Sequence, residues 1–463
     1  MGKTLAKEKL ILVCIIVLAA ALRLVNLNQS LWLDEAAQAQ MSSMSVKRIW
    51  FDRQADFHPP LFYIISHYWM AVNTSEIWLR ILPVIFGVGA IPLIFLMARE
   101  LGGEKLGLMS AFLLAINPFH VYYSQEFRSY SLLALLGLVS FYLYYKKSKW
   151  FGIINAICLY THYSGIFILL AQGFHSLFLD RKKLRSWGVS LILTAILVIP
   201  WVPQFVTQLR FGVNIDSFLP GWRNVISLSP IKAIPLILFK LVAGRIDIFP
   251  KYIYAIYIAF VLSVTFLAIM LSRGKRRLLY SWVLVPLISS IVISFWIPQT
   301  QPFRLIFILP GLLILLGEAC IRFPRIFIPL LIYMSIVGNF LYFTRPRLQR
   351  EQWREATSFL QTTNSSVVVK FPGPFASMTW YAPNLNVVPA VLKFPAREPE
   401  TSTIIGNSIQ TQDTVYLLEY LTGLTDPGNL VDRSIENLGF VNTETKNFEG
   451  VGFVYKYVRN GLE

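Results

Sequence analysis

The sequence predicts a polytopic α-helical membrane protein that ends in a small α/β domain. Three observations lead there. Of the 463 residues, 55% are hydrophobic and only 14% charged, a balance that a water-soluble globule does not support. Apolar stretches recur between short polar loops from residue 9 to residue 343. After Arg345 this pattern gives way to short alternating helix-like and strand-like runs.

About 20 apolar residues cross a bilayer, and fewer suffice inside a bundle. On that rule segments are expected at 9–26, 79–98, 105–120, 128–145, 150–161, 163–179, 186–206, 251–272, 278–297, 303–321 and 324–343, about eleven transmembrane helices in all. The pair 150–161 and 163–179 is short for full crossings. Ile231 to Val242, broken by Pro235, is shorter than a span and reads as an interfacial or re-entrant helix. Lys3, Lys7 and Lys9 ahead of Leu10–Leu22 resemble a secretory leader. No small-residue cleavage site follows, however, and Arg23 leads into an acidic loop, so this stretch reads as an uncleaved first span. Cys14, Cys158 and Cys320 all fall in apolar runs without metal-ligand spacing and read as packed or lipid-facing.

The net charge of +17 would suit nucleic acid if it were gathered on one soluble surface. From Arg345 onward, however, 11 Lys/Arg face 12 Asp/Glu, so the excess lies in the apolar part and reads as a topology signal. With the N-terminus inside, the inner loops hold Arg99 and Lys105; Lys146, Lys147 and Lys149; Arg181, Lys182, Lys183 and Arg185; Arg273, Lys275, Arg276 and Arg277; and Arg322 with Arg325. The same alternation sends Asp34, Glu35, Asp56, His58, Arg80, Glu126, Arg128, His162 and Arg304 to the outer face. Residues suited to chemistry thus converge on one side from separate segments.

Two domains follow: a transmembrane domain over 1–344, whose first outer loop spans 27–78, and an extracytoplasmic α/β domain over 345–463. In the latter, Glu351–Gln361 reads as an amphipathic helix, and Ser366–Phe371, Thr414–Leu418 and Gly450–Val458 read as strands.

Asp34 and Glu35 sit where a helix can begin. An acid there complements the helix dipole; alternatively, one carboxylate takes a proton from an acceptor hydroxyl while its neighbour positions it or holds a divalent cation. Adjacent acids near a membrane interface are costly unless paired or used, which favours function. Asp56-Phe57-His58-Pro59-Pro60 reads either as a rigid turn before a helix or as part of the same site. In Tyr122-Tyr123-Ser124-Gln125-Glu126-Phe127-Arg128-Ser129-Tyr130, Glu126 and Arg128 can be a solvated pair, yet the arginine's planar donor fork suits a phosphate. Arg80 and Arg304 head apolar segments, where snorkelling is the ordinary role; Arg304 follows the polar stretch Gln299-Thr300-Gln301 and is the better phosphate ligand. His162 interrupts apolar sequence at the outer boundary, a functional position by default.

Taken together, Leu33-Asp34-Glu35, Asp56-Phe57-His58-Pro59-Pro60-Leu61, Ser124 through Tyr130, Thr161-His162-Tyr163 and Arg304 resemble the polytopic glycosyltransferases of the C-type fold. The sequence is similar in particular to bacterial relatives of the protein O-mannosyltransferases and of the lipid A aminoarabinose transferase. The resemblance covers roughly residues 9–343. It implies a sugar donor carried on a polyprenyl phosphate, transfer on the extracytoplasmic side of the plasma (inner) membrane, and inversion at the anomeric carbon. Asp34 matches the family's first-loop acid, the base for the acceptor, and Glu126 stands in the place of a second acid. Arg128 or Arg304 would hold the donor phosphate, with His58, Arg80, Tyr130 and His162 completing the substrate surface.

A divalent cation such as Mg or Mn, held by Asp34, Glu35 and Glu126, is compatible with this chemistry. No glycine-rich phosphate loop appears, so no nucleotide cofactor is expected. The expected partners are the polyprenyl-phosphate sugar, a lipid, glycan or protein acceptor, and membrane lipids, with no nucleic acid. The competing reading is a lipid-linked sugar transporter or flippase. Such proteins place ionisable groups near the bilayer midplane on broken helices, often within repeats; here the charges fall at outer boundaries and no repeat is apparent.

Overall fold

The computed structural model describes residues 2–51, 57–222, 227–272 and 276–461. Asp56, Arg273 and Lys275 lie outside them. The chain forms two compact units, one of Met1–Leu27, Met44–Val213 and Ile226–Leu348, the other of Asn28–Ser43, Asn214–Val225 and Gln349–Glu463. A boundary at 344/345 therefore leaves out two earlier segments, 28–43 and 214–225, that join the C-terminal unit.

The first unit is helical, and each expected apolar segment coincides with helix. Six described helices are long and apolar enough to cross a membrane, namely Glu76–Gly102, Arg181–Val213, Lys251–Leu271, Arg277–Ser294, Pro302–Arg322 and Pro324–Thr344. The bent pair Glu104–Ile116 and Pro118–Ser124 raises the number to seven. The expected eleven is not reached, because Tyr130–Tyr145, Phe151–Thr161 and Tyr163–Leu179 are shorter and the first helix, Gly2–Leu24, is not among those that qualify.

The segment expected as one span over 105–120 breaks at Asn117, with a bend of 61°. Asn117 caps the new helix by accepting from the His120 backbone N–H at 2.9 Å, and Pro118 occupies its first turn. Both residues favour a helix start. Conversely, Pro230–Ala243 runs as helix through Pro235, where a break was expected; a proline removes one ladder hydrogen bond, and burial of Ala233, Ile237, Phe239 and Leu241 at 0% exposure offsets that loss.

Close helix approaches need glycine at two places. A Cβ on Gly87 would meet Ser124 Oγ at 2.1 Å, and one on Gly338 would meet the Ala243 carbonyl oxygen at 2.4 Å. Deeper in the unit, Phe141 stacks on Trp282 at 4.0 Å. Ser140, Asn155 and Gln172, from three different helices, close a ring of hydrogen bonds at 2.5, 2.9 and 2.7 Å. Apolar packing between helices competes poorly with lipid, so such polar contacts help fix helix register.

The second unit holds one five-stranded sheet. Its strands are β1 (Ser366–Val369), β2 (Val387–Pro389), β3 (Thr414–Leu418), β4 (Phe440–Phe448) and β5 (Gly452–Arg459), in the order β2-β1-β3-β5-β4. β1 runs parallel to β2 and β3, while β5 is antiparallel to β3 and β4. One core cluster gathers Trp353, Phe375, Tyr416 and Tyr420, with Leu33 packed against it, and a second gathers Val368, Ile405, Val415 and Ile435. Alternate residues of a strand face opposite sides, so β1 and β3 supply both clusters. At the end of β1 the buried Lys370 ammonium lies 2.5 Å from Asp432 and 3.4 Å from Asp426. Asp426 also accepts the Leu430 and Val431 N–H groups at the start of helix Leu430–Asn437.

Candidate active site

In the second unit the acid pair opens the helix Leu33–Ser42, in its first turn as expected. Consecutive helical residues diverge by about 100°. Glu35 is accordingly fully buried while Asp34 is half-buried. Trp32, the residue before this helix, offers no side-chain cap. The Leu33 N–H instead donates to Glu351 Oε2 at 3.2 Å. Glu351 also accepts from Trp353 Nε1 at 2.6 Å and from the Tyr420 hydroxyl at 3.0 Å. Burial, aided by the negative charge of Asp34, pushes the Glu351 carboxyl above the ordinary carboxylate range, and the three donors pull it back in part. Glu351 escapes sequence reasoning because two of its three donors, Leu33 and Tyr420, lie far away along the chain.

In the first unit the turn 125–129 carries Glu126 and Arg128, and its position is set by buried polar contacts. The Arg23 guanidinium donates to the carbonyls of Ala19, Leu114 and Ala115 at 2.8, 3.1 and 3.0 Å, meets His120 Nδ1 at 2.7 Å and Ser124 Oγ at 3.3 Å. It thereby covers the carbonyl end of helix Glu104–Ile116, where cations are favoured. The Gln125 amide donates to the carbonyls of Arg23 and Val25 at 3.1 and 2.6 Å and accepts from Tyr342 at 2.8 Å.

On this base Arg128 Nη2 lies 3.1 Å from His58 Nε2, and its guanidinium stands 5.8 Å from the Tyr130 ring. The His58 and His162 rings are 5.7 Å apart. His162 accepts the Ser164 N–H on Nδ1 at 3.1 Å, so its neutral ring carries the proton on Nε2. Tyr130 touches His162, Tyr123 and Phe303 at ring distances of 6.0, 5.4 and 4.9 Å. Arg304 stands 5.8 Å from the Phe303 ring and donates to the Pro298 carbonyl; with Arg128 and His58 it lies within electrostatic range of His162. The structure thus brings together His58, Arg128, Tyr130, His162 and Arg304.

Glu126 is buried, accepts the Arg128 N–H on its backbone carbonyl at 2.6 Å, and acts electrostatically on Tyr123. Arg80, also buried, donates to the Leu27 carbonyl at 2.8 Å, a structural tie in place of the expected snorkelling. Arg245 was not anticipated. It donates to the Tyr122 hydroxyl, stands 4.6 Å from that ring and acts electrostatically on Tyr123. Its only sequence signal is a position just after the apolar run 231–242.

Two guanidinium groups and two imidazoles on aromatic walls have the chemistry to receive an anion, because arginine's fork matches phosphate oxygens. An apolar groove of about 470 Å³ in the same unit is lined by Phe57, Tyr163, Trp201, Phe205 and Ile297, among others, and reaches Gln299. Phe57 and Tyr163 are the chain neighbours of His58 and His162. Among the described residues, no group of three or more His, Cys, Asp or Glu side chains could hold a metal ion. Of the expected set, Asp34 and Glu35 belong to the α/β unit and Glu126 to the helical unit.

Residues 57–205 match the family model described as Dolichyl-phosphate-mannose-protein mannosyltransferase. No curated protein sequence matches the chain. Among solved structures, ArnT from Cupriavidus metallidurans in the apo state aligns at 12% identity with a TM-score of 0.61, over 96% of this chain and 97% of its own. ArnT bound to undecaprenyl phosphate aligns at 13% and 0.57, over 97% and 98%. The oligosaccharyltransferase AglB from Archaeoglobus fulgidus, in complex with an inhibitory peptide and a dolichol-phosphate, aligns at 12% and 0.54, over 96% and 74%. At these identities the likeness is one of fold: the chain is a multi-pass membrane protein of the C-type glycosyltransferase fold, similar over residues 57–205 to the dolichyl-phosphate-mannose-protein mannosyltransferases.

Proposed function

We propose that the protein is an inverting membrane glycosyltransferase that moves a sugar from a polyprenyl phosphate to a hydroxyl of a lipid, glycan or protein. The observation that carries this reading is the cluster of Arg128, Arg304, His58 and His162 beside an apolar groove. A cationic cluster whose chain neighbours Phe57 and Tyr163 line an apolar groove suits a phosphate on an isoprenoid chain. ArnT and AglB, which share the fold, are known with undecaprenyl phosphate and with a dolichol-phosphate.

The chemistry is a single displacement. The acceptor oxygen forms a bond to the anomeric carbon, its proton passes to the Asp34 carboxylate, and the bond from that carbon to the phosphate oxygen breaks with its electron pair on the phosphate. Arg128 and Arg304 stabilise the charge that collects on this leaving group, the interaction most worth preorganising. The imidazoles orient the phosphate by hydrogen bonds, and Tyr130 and Phe303 hold the guanidinium planes. The excess of Lys and Arg in alternate loops supports an active site and C-terminus outside the plasma (inner) membrane.

The test is transfer of radiolabel from a panel of polyprenyl-phosphate sugars by purified protein, comparing wild type with Asp34→Asn, with and without chelator. Label reaching an acceptor or water only when Asp34 is intact supports the reading, and the chelator arm reports any metal requirement. Donors that cross the bilayer uncleaved, with Asp34→Asn equal to wild type, replace it with a transporter.

A further inference from the structure

The segment that carries Asp34 is tied to the C-terminal part of its own unit at both ends. Ser30 Oγ donates to the Glu351 carbonyl at 2.7 Å and accepts the Arg354 N–H at 3.2 Å. Gln29 accepts the Arg350 N–H at 2.8 Å, and the Leu31 N–H donates to Tyr381 at 2.7 Å. At the far end the Gln40 amide donates to the Ala376 carbonyl at 2.9 Å and to Thr379. Between these anchors the helix starts at Trp32 without a local side-chain cap. The first N–H groups of a helix need an acceptor from somewhere, and the Leu33 N–H finds it in the Glu351 carboxylate.

This arrangement is costly in a way that a merely structural contact need not be. Glu351 is an acid placed close enough to Asp34 to feel its charge. Trp353 and Tyr420 hold its two oxygens, so the carboxylate cannot turn away. An apolar contact in its place would anchor the segment without bringing two negative charges together.

We propose that Glu351 is a positioning residue for the transfer reaction, capping the helix Leu33–Ser42 across the fold and so fixing the Asp34 carboxylate for proton removal. The C-terminal domain then takes part in building the base as well as in any contact with the acceptor. The inference rests on the transferase reading for the role of Asp34. The cap itself is tested independently of that role.

The full chain in detergent is compared with Glu351→Gln, which keeps the side-chain shape and loses the charge. Amide hydrogen exchange should quicken at residues 33–36, while Val367–Val369 and Leu417 in the sheet keep their protection. With the donor found active on wild type, kcat should fall about 100-fold with donor KM unchanged, the signature of a displaced catalytic group. Tyr420→Phe leaves the carboxylate in place and removes one of its donors. It should lose about threefold in kcat and quicken exchange only at 33–36, and it decides the matter if Glu351→Gln also loosens the sheet. Unchanged exchange at 33–36, or a kcat within twofold of wild type, overturns the proposal. A wild type inactive on every donor refutes the transferase reading instead, and the exchange arm still judges the cap.

Discussion

In the helical unit the functional candidates are cations laid on aromatic rings, Arg128 over Tyr130 and Arg304 over Phe303, whereas in the α/β unit they are carboxylates at a helix start, Asp34 and Glu351. The helical unit holds its charges by spreading them over guanidinium planes and π faces, which keeps them available to an anion. The α/β unit holds its key carboxylate through backbone and side-chain donors of fixed direction.

Four experiments break or sharpen that contrast. Asp34→Asn should lower kcat on the order of 1,000-fold, within the range usual for a lost general base, with donor KM within about twofold. A comparable loss of donor affinity would mean that the acid also binds the donor. Lys370→Met leaves Asp426 and Asp432 without their ammonium and should destabilise the α/β unit by about 3–5 kcal/mol, the usual result of breaking a buried ion pair from one side. Hydrogen exchange should show the loss in β1 and β3 while the helical unit keeps its protection. Arg128→Ala should lower kcat/KM for the donor about 30- to 100-fold, as expected for a charged hydrogen bond to phosphate, and Arg128→Lys should recover only part of it. The smallest effect concerns pH. The Glu351 carboxyl titrates above its ordinary range in the folded chain, so its ionised form costs stability that is regained as pH falls through the folded value. The melting temperature of wild type relative to Glu351→Gln should therefore rise by a few degrees at most between pH 7 and pH 4.

The sequence was most legible where composition alone decides structure. Runs such as Lys251–Leu271 and Pro324–Thr344 can be little else but helix in a membrane. The strands β1 and β3, buried on both faces, were equally visible as apolar runs. β4 was not, because Val441 through Asn447 are exposed and show no alternation, and β2 has only three residues. The break at Asn117 carried a signal in Asn117-Pro118, a helix start lying within an apolar run. Among site residues, the turn 124–130 and the histidines stood out as polar islands in apolar surroundings. Glu351 sits in a polar stretch, where one more acid is unremarkable, and what singles it out is a hydrogen bond to a residue 318 positions earlier.

The closed ring of Ser140, Asn155 and Gln172 bears on how the protein is made. It joins Tyr130–Tyr145, Phe151–Thr161 and Tyr163–Leu179, the helices that fall short of a span on length. Each of the three would bring an unsatisfied amide or hydroxyl into hydrocarbon if it left the translocation machinery alone, a loss that short apolar helices can ill absorb. Together they arrive already paired. Biogenesis should therefore treat this stretch as one insertion unit, with Tyr130–Tyr145 held at the lateral exit until Gln172 has emerged, and the quality-control machinery would read any of the three polar side chains left behind as a sign of incomplete assembly.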